Sequence, residues 1–284
     1  MNSFFSLSLQ SNKINTMIMK KTILDLRVVS VEHIHEKYVL LKLTHENQLP
    51  DIMPGPFVEV RVDNSPKTFL RRPISISFVD KANNEIWLLV AVVGCGTRRM
   101  SELCVGDTLN CLFPLGNSFT LSGVPLSNKQ AQEVRNQQIL LVGGGVGVAP
   151  LLCFGHYLHL VGITPSFLLG ARSSKDLLLL DEFKKYGNVF VTTEDGSAGE
   201  RGFVTNHSIL QHEHFVQIST CGPKPMMMAV AKYARTAGIY CEASLENMMA
   251  CGLGACLCCV EKTTEGNLCV CKDGPVFDMN RLLW

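Results

Sequence analysis

Six of the 12 cysteines in this chain of 284 residues fall between Cys251 and Cys271, interleaved with glycine. A stretch so short and so rich in thiols has too little apolar surface to make a core of its own, so it needs a metal to fold around. The thiols are expected to be reduced. The N-terminus, MNSFFSLSLQSNKINTMIMKK, has neither a basic start before its short apolar patch nor a small-residue cleavage site, which argues against a secretory signal. A flexible extension, or a true start at Met17 or Met19, is expected instead. In a reducing cytoplasm, clustered cysteines point to metal or redox chemistry rather than to disulfides.

The spacing narrows the choice. Cys251, Cys256 and Cys259 stand as C-x4-C-x2-C, with Cys269 and Cys271 after a polar, hairpin-like Thr-Thr-Glu-Gly-Asn. That is the plant-type spacing for a [2Fe-2S] cluster. Gly252, Gly254 and Ala255 let the backbone come close enough for its N–H groups to point at sulfur. The rival is a structural zinc site, which usually takes two C-x2-C steps where this chain has one. Cys258 offers a competing thiolate, and Cys269 competes with Cys271 as fourth ligand; Cys271 is favoured because the Asp273-Gly274-Pro275 turn can fix it.

The rest of the chain divides into two stretches of different grammar. From about residue 20 to 123, six short segments rich in Val, Ile, Leu and aromatics are bounded by Pro, Gly, Asn or Asp, which predicts a small antiparallel β-barrel. Residues 122–138 read as a polar linker. From 137 to 240 strands alternate with helices, predicting an α/β domain on a parallel sheet, with helices at Ala149–Leu160 and over the run KDLLLLDEFKKYG. The whole is thus an α+β multidomain chain ending in a small cysteine module at 241–284. Lys plus Arg (26) nearly cancels Asp plus Glu (25), which argues against nucleic acid as a partner, and no apolar run reaches the length of a membrane span.

Two loops carry phosphate-binding chemistry. Arg72, Pro73, Ile74 and Ser75 start one strand, and Gly96 and Thr97 follow another. An arginine and a serine alternating on one face can hold pyrophosphate oxygens, and a glycine–threonine turn brings backbone N–H groups to the same anion. Leu89, Val90 and Ala91 would then flank the bound group, although they read equally well as sheet core. In the second stretch Gly143, Gly144, Gly145 and Gly147 join a buried strand to a helix with Pro150 in its first turn, where a pyrophosphate can meet the helix N-terminus. No acidic residue follows about 20 positions later, so this is not the standard ribose-reading pattern. Cys221, Gly222 and Pro223 end a later strand at the edge where ligands gather. Cys221 reads as a small wall residue, since no His or basic residue precedes it to lower its pKa.

With these motifs in this order, the chain resembles the ferredoxin–NADP reductase superfamily and, within it, the electron-transfer subunits of class 1B dihydroorotate dehydrogenases. The resemblance covers residues 20–284, and CGLGACLCC followed by CKDGPVF is its most specific part. It implies FAD in the barrel, held at Arg72 to Ser75, Leu89 to Ala91, Gly96 and Thr97. It also implies NAD in the α/β domain, a [2Fe-2S] cluster on Cys251, Cys256, Cys259 and Cys271, and an FMN-bearing catalytic partner in a heterotetramer of two copies each. Electrons from dihydroorotate, an intermediate of pyrimidine biosynthesis, would pass singly from FMN through the cluster to FAD and leave as hydride to NAD+. No residue of this chain stands out as a base for dihydroorotate, in keeping with oxidation on the partner. The alternatives are an NAD(P)H-oxidising subunit of a hydrogenase or transhydrogenase-like complex, and a zinc-stabilised, non-enzymatic nucleotide-binding regulator.

Overall fold

The computed structural model describes residues 20–126 and 137–284; the N-terminal extension and most of the expected linker lie outside the described residues. Strands β1 (Thr22–His35), β2 (Tyr38–Thr44), β3 (Phe57–Val60), β4 (Arg72–Asp80), β5 (Glu85–Ala91) and β6 (Thr108–Leu115) close into a barrel in the order β1-β2-β5-β4-β3-β6. Every neighbouring pair is antiparallel. Side chains alternate across each strand, so Leu26, Val39, Leu41, Val58, Ile76, Leu88 and Val90 fill the interior. Helix α1 (Cys95–Ser101) buries Met100 in the same core. A short hairpin, β7 (Thr120–Leu121) with β8 (Val124–Pro125), leads out of the barrel.

The second body is a seven-stranded sheet built on β9 (Ile139–Gly144), β10 (Ser166–Ala171), β11 (Asn188–Thr193), β12 (Glu200–Arg201), β13 (Gln217–Cys221) and β14 (Tyr240–Ser244), all parallel, in the order β12-β11-β10-β9-β13-β14. Helix α2 (Val148–Leu160) is apolar nearly all round because it is buried on two sides, between the sheet and the barrel. On the barrel side Phe78 stacks on His156 with ring centroids 4.5 Å apart, and Phe119 on Phe154 at 4.7 Å. Helix α5 (Lys224–Ala237) covers the other face with Met227, Val230, Ala231 and Ala234, and stops at Gly238 in the left-handed conformation, φ +67°.

The helix expected from Lys175 is mostly absent. One 3-10 turn at Ser174–Asp176 and an extended Leu177 lead to Leu179 at φ +55°, and only α3 (Leu180–Lys184) is helical. Four consecutive leucines carry no 3.6-residue period, and Leu178 alone of them is buried. A single turn, α4 (Ile209–His212), follows β12.

The sheet does not stop at Tyr240. It continues through Ser244 and takes back β17 (Val276–Asp278), antiparallel on β14, so the boundary expected at 240/241 falls at the start of a strand of the sheet. Between β14 and β17 lie the cysteine loop, the hairpin of β15 (Val260–Thr263) and β16 (Gly266–Cys269), and the single turn α6 (Val270–Asp273). The cysteine segment is therefore anchored in the sheet at both ends.

Candidate functional site

A cavity of about 270 Å³ opens where the barrel, the glycine loop and the tail meet. From the barrel, Arg72, Pro73, Ile74 and Ser75 line it, with Leu89, Ala91 and Thr97. Val90 does not: strand alternation turns it into the barrel core, where it is fully buried. The two adjacent arginines have separate tasks. Arg71 pins the barrel through Glu59 O and Asn110 O, both at 3.0 Å, while Arg72 reaches the cavity and is bonded to Leu70 O of its own loop at 2.9 Å. The glycine–threonine turn is the first turn of α1. Thr97 Oγ1 accepts the Val93 and Gly94 N–H groups at 2.9 and 3.1 Å, which fixes the turn. A Cβ on Gly96 would stand 3.0 Å from Arg72 Nε, so glycine there leaves the guanidinium its place.

A second cavity of about 750 Å³ lies at the carboxyl edge of the parallel sheet. Gly144 and Gly145 line it on one side, with Arg172, Thr192 and Glu194 from the neighbouring strand ends and Pro223 from the loop after β13. Gly143 and Gly147 stand behind the surface. A Cβ on Gly143 would lie 3.0 Å from Val148 and Leu151 side chains, and one on Gly147 would lie 2.5 Å from the Gly222 backbone. Glycine at both Gly147 and Gly222 is what lets the two loops touch. Val146 and Ala149, from the same glycine loop and the start of α2, line the smaller cavity. One loop is thus a wall shared by both cavities.

Cys221, at the end of β13, is fully buried, and its Sγ lies 3.8 Å from Glu246 Oε1. Burial first, and then the Glu246 carboxylate, push its thiol well above the ordinary cysteine range, so it is no nucleophile. Enclosure also raises the Glu246 carboxyl.

The cysteine loop is shaped by left-handed residues, Gly252 at φ +66°, Gly254 at +79° and Leu257 at +59°. Backbone N–H groups point at sulfur: Leu253 N to Cys251 Sγ at 3.3 Å, Gly254 N to Cys271 Sγ at 3.1 Å and Cys271 N to Cys259 Sγ at 3.3 Å. The Leu253 N–H is the main reason the Cys251 thiol is lowered to about 6, whereas burial, reinforced by Cys259, pushes Cys271 up to about 12. Among the described residues no three Cys, His, Asp or Glu side chains are grouped as ligands of one ion. The C-x4-C-x2-C spacing, wrapped by backbone N–H groups aimed at sulfur, suits a binuclear cluster better than a structural zinc site, which usually takes two C-x2-C steps.

Sequence reading missed several neighbours. Glu246, Asn247, Met249 and Pro275 of the tail line the smaller cavity, and Lys37 and Tyr38 of the β1–β2 hairpin line the larger one; no local motif marks them, since only tertiary packing brings them there. Glu59 did leave a signal, a charge inside the apolar run Phe-Val-Glu-Val. It is fully buried under the cysteine loop, where a Cβ on Gly252 would come within 2.7 Å of its Cγ. Neither of its carboxylate oxygens has a hydrogen-bond partner among the described residues, and burial raises it to about 7.

Residues 246–283 match the model of the iron-sulfur cluster binding domain of dihydroorotate dehydrogenase B, and residues 141–232 that of the oxidoreductase NAD-binding domain. Among curated proteins, the dihydroorotate dehydrogenase B (NAD(+)) electron transfer subunit of Fusobacterium nucleatum is 38% identical over 230 residues, spanning 79% of this chain and 84% of its own. Its counterpart in Streptococcus pneumoniae strain R6 is 39% identical over 256 residues, covering 89% and 95%. The chain belongs to the dihydroorotate dehydrogenase B electron-transfer subunits.

Members of this family are oxidoreductase components, and the barrel, the NAD-binding domain and the iron–sulfur domain of this one stand in the order its motifs foretold. Among solved structures, an NADH-dependent reduced ferredoxin-NADP oxidoreductase has a TM-score of 0.77 at 28% identity, covering 91% of this chain and 90% of that one. A ferredoxin NADP+ reductase from Neisseria gonorrhoeae shares the fold alone, with a TM-score of 0.60 at 16% identity, covering 77% and 92%. An electron-transfer subunit implies a catalytic partner. Among the described residues no helix is long and apolar enough to cross a membrane.

Proposed function

We propose that this chain is the NAD-linked half of a two-subunit dihydroorotate dehydrogenase. It holds FAD in the smaller cavity, NAD in the larger one and a [2Fe-2S] cluster on Cys251, Cys256, Cys259 and Cys271. Its partner is an FMN-bearing catalytic subunit, two copies of each forming the complex in the cytoplasm. The observation that carries this reading is the convergence of the three sites: one glycine loop walls both cavities, and the cysteine-bearing tail lines the smaller.

When bound, these groups supply the redox chemistry, the nicotinamide exchanging electrons in pairs as hydride, the cluster singly and the flavin either way. The chain supplies placement. Arg72 offers a guanidinium fork to a pyrophosphate, and Ser75 a hydroxyl on the wall of the same cavity. Leu89 and Ala91 give an apolar wall for a planar ring. The close approach of Gly147 to Gly222 holds the glycine loop in place, and Gly144 and Gly145 on the cavity wall would offer bare backbone to dinucleotide phosphates near the N-terminal end of α2. The N–H groups of Leu253 and Gly254 favour the thiolate form that an iron ligand needs.

The test is co-expression with the catalytic subunit, followed by an assay of dihydroorotate-dependent NAD+ reduction. The complex is expected to reduce NAD+ and the catalytic subunit alone to fail; equal NAD+ reduction without this chain would contradict the reading. A transhydrogenase-like reductase is the second reading, favoured by the 28% identical structural neighbour. NADPH oxidation coupled to ferredoxin, with no response to dihydroorotate, would select it.

A further inference from the structure

Where the barrel ends, Gly116 and Asn117 are fastened to the turn that closes the cysteine module. Asn117 N donates to Gly274 O at 2.6 Å. Its side-chain amide accepts from Val276 N at 2.9 Å, donates to Val276 O at 2.8 Å, and donates to Asp273 O at 3.2 Å. The side chain thus copies a strand, meeting both the N–H and the C=O of one residue, which only a group with a donor and an acceptor side by side can do. Gly116 makes the approach possible, since a Cβ there would stand 2.4 Å from Pro275 Cδ at a left-handed φ of +82°.

The turn held in this way joins two sites. Pro275 lines the smaller cavity, and Cys271 lies two residues before Asp273 on the single turn α6. On the barrel side, Leu115 precedes Gly116 and packs in the same buried cluster as Cys259 and Cys271. One residue therefore fixes a flavin-cavity wall and a cluster-ligand segment to the same point of the barrel.

We propose that Asn117 is a positioning residue that sets the separation between the flavin cavity and the cysteine loop, and with it the rate of electron exchange between the groups bound there. The proposal rests on the functional reading above. Without the amide clamp the turn at 273–276 keeps its connection to β17 and the single backbone bond from Asn117 N to Gly274 O, but loses its three side-chain ties to the barrel.

The test uses the complete complex with Asn117→Ala and Asn117→Asp; the Asp variant keeps an acceptor for Val276 N and loses the donor to Val276 O and Asp273 O. Flavin, iron and sulfide content are measured first. NADH is then mixed rapidly with the oxidised complex under anaerobic conditions. It gives hydride to the flavin and becomes NAD+, and each electron leaving the flavin reduces one cluster, so the two steps are read at separate absorbance bands. Microwave power saturation of the reduced cluster gives a distance readout independent of turnover.

Both variants are expected to retain their cofactors and the wild-type rate of flavin reduction, while cluster reduction slows severalfold and power saturation shifts. Unchanged cluster reduction in both variants would overturn the clamp. So would equal slowing of both steps, or loss of cofactor from both variants, since Asn117 would then serve stability alone. Wild-type complex without NADH-reducible flavin and cluster would overturn the functional reading along with it.

Discussion

Cys271 and Cys269 lie two residues apart, and their surroundings separate them. Cys271 Sγ accepts the Gly254 N–H, and its own N–H donates to Cys259 Sγ, so it belongs to the loop that gathers sulfur. The Cys269 N–H is taken by the Asp273 carboxylate at 2.8 Å, and among the described residues its Sγ reaches only Gly254 O, at 3.9 Å. Cys271→Ser is therefore expected to strip iron from the protein and Cys269→Ser to leave it; iron and sulfide analysis decides, and loss only in the Cys269 variant would move the fourth ligand. At the nucleotide loop, Gly147→Ala places a methyl 2.5 Å from the Gly222 backbone. Overpacking of this kind costs about 1–3 kcal/mol, so NAD+ affinity is expected to fall roughly 10- to 100-fold with flavin and iron content unchanged. Calorimetric titration measures it, and unaltered affinity would show that the two loops need not touch. The cysteine spacing was readable in the sequence because a cluster fixes its ligands' intervals; Glu246, Asn117 and Lys37 were not, because each acts through a neighbour more than 20 residues away.

Elements followed the sequence where one physical rule governed them. Six strands with apolar, turn-bounded sequences became a barrel, and the same alternation that put Leu89 and Ala91 on the cavity removed Val90 from it. The leucine run after Lys175 failed because it has apolar mass without a period. A further contact between elements is invisible in sequence. Glu242 on β14 is buried against β13 and the β7 hairpin, accepting from Thr120 Oγ1 at 2.8 Å, Ser219 Oγ at 2.9 Å and Gln217 Nε2 at 3.2 Å. These donors favour the carboxylate, but burial outweighs them, and Asp278 adds to it, so the carboxyl rises from 4.5 to about 7. Below about pH 4.5 both folded and unfolded chains hold this proton. Between 4.5 and 7 the unfolded chain releases it while the folded one keeps it, so stability falls as pH rises through that window, by about 3 kcal/mol in all. Urea unfolding across pH 4.5–7.5 measures the slope. Glu242→Gln should reduce it, leaving the share that the similarly raised Glu59 contributes, and an unaltered slope would show that Glu242 is ionised throughout.

At the scale of the whole molecule, the cysteine module is less a third domain than an insertion into the parallel sheet, entering after β14 and returning as β17. Glu261 at its hairpin draws in Lys224 at 3.1 Å, Asn247 at 3.0 Å and Trp284 at 3.3 Å, joining the hairpin to the head of α5, the small cavity and the chain end. Asn117 joins the same module to the barrel from the other side. Three sites that sequence reading placed in three successive stretches are thus gathered about one junction, a consequence of long-range packing that spacing alone does not contain. The central claim is that this junction holds a flavin and a [2Fe-2S] cluster which exchange electrons. Metal, sulfide and flavin analysis of the anaerobically purified complex, followed by titration with NADH under electron paramagnetic resonance, tests it most directly. The account predicts about two irons, two sulfides and one FAD in each copy of this chain, and a cluster signal that grows as NADH is added. One zinc in place of the irons, or a cluster that NADH leaves oxidised, would contradict it.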